Sequence, residues 1–270
     1  MRPALVAALL GFTLAPAAQA ERESYAGLPA GGAVQVLQNP GFVVGYSASE
    51  RQPAWVAFRA ESLKGKRPYK REERFEPDPR VRDPVTHWDY KDTGYTRGHL
   101  APAYLIGRLY GKAAQAATFM MTNISPQKAR LNELLWQRLE EAESNRVAPG
   151  AVELWVVTGP VFGERRVLKK SGIALPEAFF RIWLDLRDGA PAALAFLVPQ
   201  TVCGSEPLSQ FLTTVDEVER RTGLDFFPEL PDAQEEALES ARATAGWRLE
   251  RYDALPARYA AKFEGQRCAP

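Results

Sequence analysis

Only two histidines occur in the 270 residues, His87 and His99, and only His99 has neighbours suited to catalysis. It stands in Thr96-Arg97-Gly98-His99-Leu100-Ala101-Pro102-Ala103. The glycine lets backbone come close or turn sharply. Arg97, two residues back, offers a fixed, permanently charged fork. An arginine beside a histidine suits a phosphodiester, one binding the phosphate while the other takes a proton from water. The pair suits other anionic substrates equally well. His87, in Val85-Thr86-His87-Trp88, has no motif around it and reads as structural. Two histidines exclude a histidine-rich zinc site. A GxSxG elbow, a phosphate-binding glycine loop ending in Gly-Lys-Ser, HExxH and CxxC are all absent.

Asn132 is the second centre of interest. Serine before proline at Ser125-Pro126 predicts a helix start, with Ser125 as N-cap, running from Pro126 to about Glu143. Leu131, Leu135 and Leu139 recur every four residues and give that helix a buried stripe. Asn132, Trp136 and Glu140 follow the same spacing one residue on, along its edge. A buried asparagine is usually a hydrogen-bonded core residue. As a metal ligand it offers one uncharged amide oxygen, and a magnesium ion so held keeps most of its water. Glu140 is then placed to order such a water, and Asn123, just before the helix, to fix the loop or another metal-bound water.

The elements that must position these residues follow from pattern. Residues 21–40 carry no clear pattern and read as an exposed lead-in. Strands are predicted at 41–47, 55–58, 118–122, 153–157, 180–185 and 193–198, with a hairpin across Arg51-Gln52-Pro53. Helices are predicted at 207–222 and 232–246, with a turn and apolar anchor at Thr222-Gly223-Leu224-Asp225-Phe226-Phe227. Strands and helices are interspersed, which predicts an α/β (α+β) sandwich around a largely antiparallel sheet. Residues 62–95 are charged and turn-rich, and prolines at 68, 77, 79 and 84 forbid a long helix there. Lys64, Lys66, Arg67, Lys70, Arg71 and Arg74 crowd this segment, either as a solvated loop or as a phosphate-contacting flank.

The composition, 46% hydrophobic and 25% charged, is that of a globular chain and excludes a disordered one. Net charge is +1, so bulk charge does not hold the protein on nucleic acid, although a local basic patch remains open. Met1-Arg2, an apolar run through Leu14 and Ala18-Gln19-Ala20 read as a secretory signal peptide over residues 1–20, cut after Ala20. The expectation is therefore a secreted or periplasmic protein, off the membrane after cleavage, with one domain over 21–270. Cys203 and Cys268 are the only cysteines, and an oxidising compartment favours a disulfide between them.

The motifs together carry a resemblance. Thr96-Arg97-Gly98-His99 resembles the Asp-Arg-Gly-His of the DNA/RNA non-specific endonucleases, the ββα-metal nucleases that include the endonuclease G type. Thr122-Asn123-Ile124-Ser125-Pro126-Gln127, then Asn132, Trp136 and Glu140, match its second motif in spacing. Val156 to Phe162 and Val215 to Phe227 resemble the flanks, so the likeness spans about residues 41–230. It implies the ββα-metal fold and a magnesium-dependent, or manganese-dependent, endonuclease acting on DNA and RNA without sequence preference and leaving 5′-phosphate ends. His99 is then the general base, Asn132 the one direct metal ligand, and Glu140 the group that orders metal-bound water. Arg97 touches phosphate or orients its neighbours. An upstream arginine that stabilises the phosphate charge is best matched by Arg74. Thr96 stands where the family commonly has aspartate, a departure read as tuning, since threonine still donates and accepts a hydrogen bond. Oligomeric state stays open, a homodimer included. A phosphodiesterase of narrower substrate and a noncatalytic binding protein on the same scaffold are the alternatives; the latter would more readily have lost His99 or Asn132.

Overall fold

The computed structural model describes residues 22–63, 67–72, 74–187, 189–242 and 244–255. The signal peptide expected over residues 1–20 lies outside these residues. So does Cys268, and with it the expected link to Cys203.

Runs of apolar residues build one large sheet. Strands β1 (Gln35–Asn39), β2 (Phe42–Ser47) and β3 (Gln52–Ala60) form an antiparallel meander. After the site segment the chain returns as β6 (Leu154–Val161), β7 (Ala178–Arg187), β8 (Ala190–Pro199) and the short β9 (Leu212–Thr213). The order is β1-β2-β3-β6-β7-β8-β9, antiparallel throughout. Both faces are covered, so alternate residues feed two cores. Val44, Val56, Phe58, Phe179, Trp183 and Phe196 pack on one face beneath the site helices. Val43, Trp55, Ala57, Phe180 and Ile182 pack on the other, against α4 (Val215–Thr222) and the Phe226-Phe227 anchor, with α5 (Asp232–Glu239) beside them. The expected sandwich of helices around an antiparallel sheet is what forms.

Between β3 and β6 lies a smaller unit. β4 (Thr96–His99) pairs antiparallel with β5 (Ile124–Gln127), and the two are joined through α1 (Ala103–Tyr110) and α2 (Lys112–Ala117). The chain then enters a long helical stretch: a π-helical segment at Leu131–Trp136, α3 (Gln137–Ala142) and a second π-helical segment at Glu143–Val147. Leu131, Leu135 and Leu139 are all fully buried, as their spacing predicted.

Several elements differ from the sequence reading. The lead-in holds β1, whose edge position lets polar Gln35 and Gln38 sit in a strand. Residues 118–122 form no strand, only an isolated bridge between Glu76 and Met120 before a short 3₁₀ turn at Met121–Asn123. Ser125 and Pro126 belong to β5 and do not start the helix. Pro126 pairs with Arg97 in a two-stranded ribbon, where a missing N–H is tolerated. Ser125 Oγ donates to Gln52 Oε1 at 2.5 Å, so the hydroxyl expected to cap a helix ties the ribbon to the large sheet. The helices near the C-terminal side are also shorter than predicted, since residues 208–211 form a 3₁₀ turn and 212–213 a strand.

Candidate active site

The ribbon and the long helix meet at a cavity of about 710 Å³. His99, Arg97, Asn132 and Glu140 line it, together with Arg71 and Tyr104. The sequence had placed the first four in one site. Arg71 and Tyr104 it had not.

His99 ends β4, opposite Ile124. One residue before it, Gly98 faces buried Gln127 so closely that a Cβ would lie 2.0 Å from Oε1 and 2.7 Å from Cγ, which is why glycine stands there. The imidazole is buried, 8% exposed, between the rings of Phe75 (5.3 Å between centroids) and Phe119 (4.8 Å, edge-on). Its Nε2 has no hydrogen-bond partner among the described residues. Burial, helped by the positive charge of Arg71, pulls its pKa down to about 3, so the ring is neutral at working pH.

The backbone beyond His99 is clamped by Asn123, which is fully buried. Its Oδ1 accepts from Ala101 N at 2.9 Å, and its Nδ2 donates to Ala101 O (3.1 Å) and Thr118 O (2.9 Å). All three of these bonds go to backbone, and they tie the loop after His99 to the segment before β5.

Asn132 lies in the first π-helical segment, a local widening frequent at functional sites. Its Nδ2 donates to Thr96 Oγ1 at 2.9 Å, and that hydroxyl donates in turn to Gln127 O at 2.9 Å. Thr96 thus fixes the nitrogen end of the amide, and the oxygen is the end that could hold a cation. An aspartate at 96 would accept the same bond, so the threonine preserves the geometry and removes a charge. The donor set suits a hard, strongly hydrated cation: a neutral amide oxygen and a carboxylate line the same cavity. That carboxylate, Glu140, is half-buried; burial raises its pKa to about 7, Glu143 adds to the rise, and Arg181 and Arg71 oppose it.

Behind Glu140 the site rests on a buried ion pair that the sequence reading missed. Arg181 Nη2 and Glu143 Oε2 lie 2.7 Å apart, both fully buried, and Trp183 Nε1 donates to the same oxygen at 2.8 Å. The Arg181 guanidinium stacks on Phe58 and Trp136. Trp136, between Asn132 and Glu140 in spacing, turns inward onto Phe179.

The arginines divide differently from the expectation. Arg97 lies in the cavity, its guanidinium over the Phe75 ring at 5.0 Å. Arg74 is exposed and lines a neighbouring cavity with Lys70 and Lys112. Arg71 lines both cavities and sits over Phe119. It is Arg71, three residues earlier, that the fold brings to His99. His87 lies in a 3₁₀ turn with Trp88 and is absent from the cavity lining.

A second acidic grouping lies on the opposite face of the sheet. Ligand atoms of Asp216, Glu219 and Glu239, on α4 and α5, fall within 4.8 Å of one another, a spacing that a divalent cation could bridge. Glu239 is buried beside Glu219, and its pKa is raised to about 8.

Comparison with known proteins agrees with this architecture. A family model described as DNA/RNA non-specific endonuclease matches residues 20–233. The mitochondrial nuclease EXOG of Danio rerio is 32% identical over 226 residues, 77% of this chain. The chain spans 65% of that relative's length. Human mitochondrial endonuclease G is 30% identical over 221 residues, 76% of this chain and 72% of that protein. A solved structure of an EndoG/EndoGI complex superposes with a TM-score of 0.72 at 23% identity, over 83% of this chain and 96% of that one, a likeness of fold. The relatives also correct one expectation. The zebrafish, human and Xenopus laevis proteins are mitochondrial nucleases, which overturns the reading of a secreted or periplasmic protein. That reading rested on the leader's positive start, apolar run and Ala18-Gln19-Ala20 end, and a leader's pattern does not name a compartment. No helix among the described residues is long and apolar enough to cross a membrane. With Arg97, His99, Asn132 and Glu140 of its motifs in one cavity and the family model matched over most of its length, the chain belongs to the DNA/RNA non-specific endonuclease family.

Proposed function

We propose that the protein is a metal-dependent endonuclease that hydrolyses phosphodiester bonds of DNA and RNA without reading sequence and leaves 5′-phosphate ends. The observation that carries this is the shared cavity. A neutral imidazole, an amide oriented by Thr96, a carboxylate and two guanidinium groups line one space. Asn132 and Glu140 are the groups to hold magnesium, or manganese, the first through its amide oxygen and the second through the ion's waters. When bound, the ion supplies Lewis-acid stabilisation of charge on the phosphate.

The chain's own residues do the rest. The His99 imidazole accepts a proton from the attacking water, and being neutral it is ready to do so; as the water oxygen bonds to phosphorus, the bond to the 3′ oxygen breaks, and that oxygen leaves to take a proton from solvent. The Phe75 and Phe119 rings hold the imidazole plane and keep bulk water off it. Arg97 and Arg71 neutralise the phosphate oxygens as charge grows there. In this reading Arg71 takes the part that sequence alone had given to Arg74. Phosphate contacts carry no base information, so such a site cuts indifferently.

Digestion of DNA and RNA by the purified chain at graded magnesium concentrations tests the reading. His99→Ala removes the base, and the rate falls by about 10²- to 10⁴-fold with no recovery as magnesium rises. Asn132→Ala weakens the metal's hold, so its loss is partly recovered at high magnesium. Excess ion refills a weakened site, but no ion replaces a missing base. Near-normal turnover in His99→Ala at neutral pH overturns the mechanism. Near-normal turnover and metal affinity in Asn132→Ala overturn the ligand assignment.

A further inference from the structure

We propose that Tyr104 is a stacking platform for an unpaired nucleobase beside the scissile phosphate, which makes the enzyme favour single-stranded over duplex substrate; this rests on the nuclease reading above. Tyr104 is the second residue of α1 and lines the same cavity as His99 and Asn132. It is 49% exposed, so its ring is not there to fill a core. Nor is it loose. Arg108, one turn on, donates Nη1 to the Tyr104 hydroxyl at 2.7 Å, and its guanidinium carbon lies 5.3 Å from the ring centroid. The same guanidinium donates Nη2 to Leu63 O at 3.0 Å, which anchors the brace to the body of the protein.

A half-open ring that is already immobilised is a preorganised flat surface, and contact with it costs little further entropy. The ligand must present a planar face while its phosphate lies against Arg97 and Arg71 in the same cavity. A nucleobase does both. Every base has such a face, so the contact is tolerant of sequence and fits a site that reads none. In a duplex both faces of a base are covered by its neighbours, so only an unpaired or locally opened base can use the ring.

The test is equilibrium binding of a labelled, unstructured deoxyoligonucleotide to the full chain in EDTA, against an abasic strand of equal length. The wild type is expected to bind the base-bearing strand about tenfold more tightly, the size of one base–aromatic stack. Tyr104→Ser should bring that ratio close to one, whereas Tyr104→Phe, which keeps the ring, should retain most of it. With magnesium, the Tyr104→Ser loss on single-stranded DNA should appear in KM and not in kcat. Equal weakening on both strands, or none, overturns the proposal. Base-dependent binding that vanishes in Tyr104→Ser supports it even if the wild type cleaves no strand, and that last result would overturn the nuclease reading instead.

Discussion

His99 owes its state to its surroundings more than to its own chemistry. An exposed histidine titrates near neutrality, but here two phenyl rings and a nearby guanidinium make the imidazolium costly. Its folded pKa lies below the unfolded value, so protonation favours the unfolded chain. The stability this site contributes is present above about pH 6.5 and is lost as pH falls towards 3. By the same sign, the proposed base stays neutral on the acid side of neutrality, and the loss of activity near pH 6.5 that an unperturbed histidine implies should not come from this group. An NMR titration of the metal-free protein should find the His99 ring neutral down to about pH 5; a midpoint at or above about 6.5 would contradict the burial argument. At this scale the sequence was most informative where residues lie close along the chain. Thr96, Arg97 and His99 share one short strand, and Asn132 and Glu140 lie on one helical stretch. Arg71, Phe75 and Phe119 were not legible, because they come from segments without periodicity, and only the folded chain brings them round the imidazole.

Elements were legible where a period was long and unbroken. The leucine stripe at 131, 135 and 139 located the site helix, and the apolar runs at 180–185 and 193–198 located β7 and β8. The failures have local causes. Ser125-Pro126 carries the chemistry of a helix start, yet ribbon pairing with Arg97 and Gly98 prevails, aided by the bond from Ser125 to Gln52. The π-helical segments on either side of α3 have no signature in a pattern built on 3.6 residues per turn. The buried pair of Glu143 and Arg181 was equally invisible, since its members lie on different elements far apart in sequence. Its energetics are asymmetric. Removing one partner strands the other charge in a dry interior, and burial already raises the Glu143 pKa. Arg181→Met should destabilise the fold by about 3–5 kcal/mol, read from urea unfolding at neutral pH. A loss below about 1 kcal/mol would show that the pair is not a structural support of the site helix.

At the scale of the whole molecule, a net charge of +1 says little about how a polyanion is held. What matters is arrangement: Lys70, Arg74 and Lys112 line a second cavity of about 620 Å³ that shares Arg71 with the first. Lys66, at the head of the basic run, lies outside the described residues. Charge-neutralising substitution of Lys70, Arg74 and Lys112 together should weaken binding to unrelated DNA sequences alike. It should also flatten the plot of log affinity against log salt by about two to three, close to one for each phosphate left without its cation. An unchanged slope would make this face a solvated one. The order of the strands has one more consequence, for when the enzyme becomes dangerous to its own maker. Every residue assigned to the chemistry, from Arg71 to Glu140, is synthesised before β7, yet the helix that carries Asn132 and Glu140 leans on Phe179, Arg181 and Trp183 of that strand. A nascent chain can therefore hold the full set of these side chains while lacking the wall that sets them in place, and the geometry of the site is completed late in synthesis, with the second half of the sheet.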